Sequence, residues 1–247
     1  MTPAHSRAPR FHVDAPLAPG ARLALPQDAG HHASRVLRLR EEDAVVLFSG
    51  AGGEYAARIV RISRNAVEVE VGAFAPVERE SPLAVTLVQG ISAGDRMDLT
   101  IQKAVELGVA AIQPVLAERS VVRLKGDRGD SRREHWLRVA ASACEQCGRN
   151  RLPAITLACA LAGYRAPEEA VKLLLAPGAR PNLRSLHLSV DKPVMLAAGP
   201  EAGFSSQEEA LLVAAGFVPV HLGPRVLRTE TAGPAALAAL NALFGDS

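Results

Sequence analysis

The sequence predicts an α/β protein in two parts: a small β-rich barrel, then a larger α/β domain with a mostly parallel sheet. Three observations carry that prediction. Residues 44–74 alternate apolar and polar positions around glycine-bearing turns, the period of half-buried strands. Beyond residue 83, short apolar runs alternate with amphipathic helical stretches, as in strand–helix–strand units. Between them, "APVERESPLA" (75–84) gathers charges and two prolines, the composition of a domain boundary. The domains therefore read as 1–78 and 79–247.

In chain order, "AGHHASRVLRLR" (29–40) reads as a short helix bearing basic residues. "AVVLFSG" (44–50) is an apolar run ending in a turn, and "GAGGEY" supplies hairpin glycines. "YAARIVRIS" (55–63) and "NAVEVEVGAF" (65–74) follow as strands. Short strands joined by tight turns predict a small barrel. "LAVTLVQGI" (83–91) then reads as a buried strand. "DRMDLTIQKAVELGV" (95–109) reads as a helix: Met97, Ile101, Ala104 and Val105 share a face, and Gly108 suits its end. "AAIQPVLAE" (110–118) is the next strand. "RREHWLRVAASACEQCG" (132–148) is a longer helix with Trp136, Val139, Ala140, Ala143 and Cys147 at helical spacing. "VKLLLAP" (171–177), "PVMLAAG" (193–199) and "FVPVHLG" (217–223) are strands, with helices over about 205–215 and 230–244. Ligands of such sheets sit beyond the C-terminal ends of the strands.

Bulk properties narrow the class. Apolar residues make up 48% of 247, enough for a real core, and no apolar run reaches the length of a membrane span. The start, "MTPAHSRAPRF", has no apolar signal region, so a cytoplasmic, membrane-free protein is expected. Net charge is only +2, but residues 1–40 hold six arginines against Asp14 and Asp28, and residues 118–151 hold nine Lys/Arg against five Asp/Glu. Two local basic patches fit either a polyanion touched at defined places or ordinary solvated faces. Three cysteines are too few for a disulfide framework. Cys144 and Cys147 form a CxxC inside a helical pattern with no second pair nearby. Half-buried thiols are expected there, with no metal site.

Four stretches carry chemistry. "GPEAGFSSQE" (199–208) is a glycine-rich turn after a buried strand, and Ser205 with Glu208 forms an S-x-x-E capping box. "LGPRVLRTETAG" repeats the pattern of strand, Gly-Pro and charge 24 residues later, so the two turns are expected on one rim of the sheet. Thr229 or Thr231 can cap the last helix, with Glu230 in its first turn. Capping does not account for Arg225 and Arg228, because the positive end of the helix dipole repels guanidinium groups. An anionic partner accounts for them. In "ACEQCGRNRLP" (143–153), Arg149, Asn150 and Arg151 follow a helix-ending Gly148, a place where the dipole favours basic groups. In "HHASRVLRLR", Arg35 and Arg38 share a face and could grip phosphates.

These stretches, with Arg10-Phe11 and "ESPLAVTLVQGISAGDRMDLTIQKAVELGV", resemble essentially end to end the RsmE family of 16S rRNA (uracil-N3) methyltransferases, of the SPOUT class. The resemblance implies a PUA-like N-terminal barrel that holds ribosomal RNA and a C-terminal SPOUT domain with a trefoil knot. It also implies a homodimer, S-adenosyl-L-methionine as methyl donor, and no metal. By motif, the donor-binding residues would be Leu175 and Pro177; Gly199, Pro200, Glu201 and Gly203; and Leu222, Gly223, Val226, Leu227 and Thr229. Arg228 and Arg225, with Arg149 from the other subunit, would stabilise the developing uracil anion, and Glu230 is the nearest proton acceptor. Arg10, Arg35, Arg38, Arg149 and Asn150 would contact RNA. Two positions depart from the family pattern. Ala202 stands where a second glycine is usual and fits only at negative φ; Pro234 is expected in the first turn of the last helix, where proline is compatible. A SPOUT enzyme for another RNA such as tRNA, or a non-catalytic RNA binder, are the competing readings.

Overall fold

The computed structural model describes residues 8–120 and 128–246. Arg7, Arg123 and Lys125 of the two basic stretches lie outside the described residues. The chain divides into two compact units: one runs to Glu80 and includes Cys144–Leu152, and the other holds Ser81–Ala143 and Pro153–Ser247.

The first unit is a five-stranded sheet in the order β1-β3-β4-β5-β2. Its strands are β1 (Arg10–His12), β2 (Arg22–Ala24), β3 (Ala44–Phe48), β4 (Glu54–Ile62) and β5 (Val67–Ala75). β3, β4, β5 and β2 pair antiparallel, while β1 lies parallel to β3. The sequence period is realised in β5: Val67, Val69 and Val71 are buried, while Glu68 and Glu70 between them are not. Register shifts at Tyr55/Ala57 and Ile59/Arg61 bend β4. The strand order leaves β1 and β2 as edges, so the expected barrel is open along its pairing path. Both edge strands have three residues, too short to show a period, and the sequence reading missed them. The sheet encloses Phe11, Leu25, Leu47, Ile59 and Val69. The stretch expected as one helix over 29–40 is a short helix α1 (Gln27–His31) continued by a π-helical turn (His32–Val36), after which Arg38 takes φ 56°.

The second unit is a parallel seven-stranded sheet, in the order β12-β10-β11-β6-β7-β8 with β9 also on β7. Its strands are β6 (Val85–Gly90), β7 (Ala111–Leu116), β8 (Ala154–Ile155), β9 (Cys159–Ala160), β10 (Val171–Leu175), β11 (Val194–Ala198) and β12 (Val218–Val220). All five residues of β11 are buried, which explains its unbroken apolar run. Helix α2 (Asp95–Glu106) buries Met97, Ile101, Ala104 and Val105, and Gly108 follows it at φ 78°. Helix α3 (Arg128–Cys147) starts earlier than its apolar pattern, and its last turn belongs to the first unit. Helix α4 (Ser206–Ala214) begins with the expected capping box. Its Glu208 carboxylate accepts the amides of Ser205 and Glu118, each at 2.7–2.8 Å, so that buried acid is satisfied. Helix α5 (Thr229–Phe244) closes the chain.

Candidate functional site

A cavity of about 420 Å³ opens at the C-terminal ends of β10, β11 and β12. It sits where parallel sheets place their ligands, because loops leaving adjacent strands diverge there. Leu175 and Pro177 line it from the loop after β10. Gly199, Pro200, Glu201 and Gly203 line it from the loop after β11. Leu222, Gly223, Arg225, Val226, Leu227, Arg228, Thr229 and Glu230 complete it between β12 and α5. Both Gly-Pro turns thus serve one cavity, as their echo predicts. Gly203 and Gly223 adopt φ 68° and 116°, with open space where a Cβ would be. Ala202 is not among the positive-φ residues, so its methyl group is accommodated.

Arg225 and Arg228 are exposed on the lining and have no ion-pair partner among the described residues. Val226 between them is 78% exposed. Glu230 buries its Oε2 without a hydrogen-bond donor. The expected capping of α5 is not what forms. Arg228 is the N-cap residue and no side chain caps the helix. Thr229 is buried, and its hydroxyl donates to the Gly199 carbonyl at 2.9 Å, tying the two loops together. Pro234 is the sixth residue of α5, beyond the first turn where it was expected. Having no N–H, it leaves the Glu230 carbonyl without its usual i+4 donor.

Two polar lining residues escaped the sequence reading, Arg96 and His221. Arg96 stands in the first turn of α2, where the dipole disfavours a guanidinium as it does Arg225 and Arg228 before α5. Its guanidinium and the Ala93 amide both donate to Glu201 Oε1, at 3.0 and 2.8 Å. Burial pushes the Glu201 carboxyl up, but the Ala93 amide and Arg96 outweigh it and hold it below the ordinary range.

In the first unit, three residues expected to contact RNA make internal bonds. Asn150 is fully buried: its Oδ1 accepts from Arg10 and its Nδ2 donates to the Val77 carbonyl. Arg149 is 4% exposed and grips Glu80 through Nε and Nη2. Arg10 also pairs with Glu54 and stacks over Phe48. Arg79 donates to the Gly148 carbonyl, and the His12 amide donates to Glu145. These bonds draw residues 145–150 into the N-terminal unit. Within the chain, Arg10, Arg149 and Asn150 thus bond to protein groups. The Cys144 thiol is pushed up to about 12, chiefly by burial, so it is unreactive at neutral pH. Arg35 and Arg38, by contrast, are exposed. Arg35 lines a second cleft, of about 530 Å³, with His31, Ser34, Arg64 and Asn65. Arg35 and Arg64 have no ion-pair partner among the described residues, whereas Arg22 and Arg58 are held by Glu70 and Glu42.

Comparison with known proteins places the chain. Residues 79–241 match the model of the RNA methyltransferase domain, and residues 25–72 match the RNA methyltransferase PUA domain. A ribosomal RNA small subunit methyltransferase E from Buchnera aphidicola is 31% identical, covering 98% of this chain and 96% of its own. The chain belongs to the ribosomal RNA small subunit methyltransferase E family. Another member of that family, from Bacillus subtilis, is 31% identical, covering 85% of this chain and 86% of its own. The family member from Neisseria gonorrhoeae, crystallised with S-adenosyl methionine, superposes with a TM-score of 0.88 at 40% identity, covering 97% of this chain and 99% of its own. A Legionella pneumophila protein solved with bound SAM superposes at 0.93 and 39% identity, covering 98% and 100%. The fold of this family member is therefore an N-terminal PUA-like domain followed by an α/β methyltransferase domain.

Proposed function

We propose that this chain transfers a methyl group from S-adenosyl-L-methionine to N3 of a uridine in the 16S RNA of the small ribosomal subunit. One observation carries the reading. The three loops after β10, β11 and β12 converge on a single cavity that presents two arginines with no ion-pair partner among the described residues, and a carboxylate. The residues fit the donor. Gly203 and Gly223 leave room for close backbone approach, half-buried Leu222 and Leu227 would offer apolar surface to an adenine, and the lining carboxylates Glu201 and Glu230 would offset its positive charge.

The donor supplies an electrophilic methyl on its sulfonium; the rest falls to the protein. Uracil N3 is a poor nucleophile until it loses its proton. Glu230 lines the cavity and is the carboxylate assigned to accept that proton. Arg225 and Arg228 neutralise the charge that then spreads onto the uracil carbonyls. Holding N3 in line with the methyl supplies the largest part of the acceleration. The base leaves its stack to enter the cavity, and exposed Val226 offers it an apolar surface. The cleft bearing Arg35 and Arg64, with Arg38 nearby in sequence, would hold RNA phosphates. The reading includes a knotted donor loop and a homodimer, as the family resemblance implies, and a cytoplasmic location.

The test combines calorimetry with S-adenosyl-L-methionine and primer extension on 16S RNA after incubation with small subunits. Saturable donor binding and a new stop at one uridine are expected, since an N3 methyl blocks pairing. Absence of donor binding, or modification of tRNA alone, would overturn the proposal.

A further inference from the structure

Gln89 is a lone amide at the end of the apolar strand β6, fully buried and outside the cavity lining. Its Nε2 faces three acceptors: the Gly90 carbonyl at 3.0 Å, the Gly199 carbonyl at 3.4 Å and Thr229 Oγ1 at 3.3 Å. Two of these are carbonyls that can only accept, so the amide orientation is dictated. Thr229 in turn donates to Gly199, and buried Ser92 lies 3.0 Å from the Thr229 hydroxyl. Gln89 thus holds two cavity walls at once: the loop after β11 through Gly199, and the start of α5 through Thr229. Arg228 and Glu230 flank that threonine. The neighbouring Gly90 acts with it. A Cβ there would stand 2.5 Å from Pro200 N and 3.0 Å from the Gly199 carbonyl carbon, a clash with backbone. The end of β6 is therefore a template against which the Gly199-Pro200 turn is seated.

We infer that Gln89 is the positioning residue of the donor cavity: without touching either substrate, its amide donors set the spacing between the Gly199 loop and the Arg228–Glu230 segment. The inference rests on the reading of this cavity as the donor site. A cavity wall displaced by a fraction of an ångström costs both donor affinity and in-line geometry.

The experiment compares wild type with Gln89→Met and Gln89→Glu. Methionine keeps the volume and removes both donors. It should weaken S-adenosyl-L-methionine binding about tenfold and lower kcat by more than KM rises. Glutamate sets a carboxylate against three acceptors at pH 8, but its protonated form can donate again. Its donor affinity should therefore recover as the pH falls from 8 to 6, where wild type and Gln89→Met show no such recovery. That recovery is a readout that loss of packing alone would not give. Calorimetry is run well below each variant's Tm, so folding losses are separated from cavity losses. Wild-type affinity and kcat in Gln89→Met, or a Gln89→Glu affinity no more pH-dependent than wild type, would overturn the inference. A wild-type protein that does not bind the donor would overturn the reading of the cavity itself.

Discussion

Replacing Asn150 by alanine separates two roles for the segment after α3, a strut inside the first unit or a contact for RNA. The side chain is fully buried and makes two hydrogen bonds. One is accepted from the Arg10 guanidinium, and losing a bond to a charged group costs about 1.5–3 kcal/mol. The other is donated to the Val77 carbonyl and is worth about 1 kcal/mol. Arg10 Nη2 would keep only its 3.3 Å bond to the Arg149 carbonyl, and Nε already lacks a partner. The sum is about 3 kcal/mol. For a chain of this length that lowers Tm by about 6–12 °C. Urea titration followed by far-UV circular dichroism reads the stability, and filter binding at low temperature reads RNA affinity on the folded protein. The strut predicts a large loss of stability with RNA affinity kept within about threefold. Stability within about 0.5 kcal/mol of wild type, coupled to a tenfold loss of RNA affinity, would refute the reasoning and return Asn150 to the RNA surface.

Arg228→Ala should abolish methyl transfer while calorimetry still detects donor binding; turnover like wild type would remove Arg228 from the catalytic set. Arg35→Ala with Arg64→Ala should weaken RNA binding about tenfold and flatten the log–log salt dependence by about 1.4, two phosphate contacts to single-stranded RNA. An unchanged slope would mean that the second cleft does not meet the backbone. Burial pushes the Glu145 carboxyl above its ordinary value, and the His12 amide and Arg10 only partly offset it. An acid raised in this way favours folding fully below its unfolded value, and that contribution is lost as pH rises through the folded one. Glu145→Gln keeps an acceptor for the His12 amide, so its Tm should match or exceed wild type at pH 8, with the gain vanishing near pH 4. A large Tm loss at pH 8 would show that the charge itself is needed there.

Much of the architecture was legible because it rests on local pattern. β5 alternates valine with glutamate, and β11 is apolar throughout; each period has one structural solution. The rim of the site was legible through residues in the wrong electrostatic place: Arg225 and Arg228 stand at the start of α5, where the helix dipole gives them no reason to be. Arg96 follows the same logic. β1 and β2 were not legible, because three residues cannot display a period and their pairing partners lie far along the chain. Nor was the fate of Thr229. Its sequence context offers capping, and the competing acceptor, Gly199, is thirty residues away.

By itself, the sequence determined the two-part α/β plan, the strands and helices with strong periods, and the two Gly-Pro loops on the rim of the sheet. Those follow from spacing and from conformational limits that each residue carries with it. Only the tertiary structure decided what the polar side chains do. It drew Arg149, Asn150 and Arg10 into one hydrogen-bonded cluster, left Arg35 and Arg64 beside a cleft, and put Gln89 behind two walls of the cavity. The reason is physical. A hydrogen bond or a desolvated charge depends on which distant groups arrive within about 3 Å, and no local pattern encodes that.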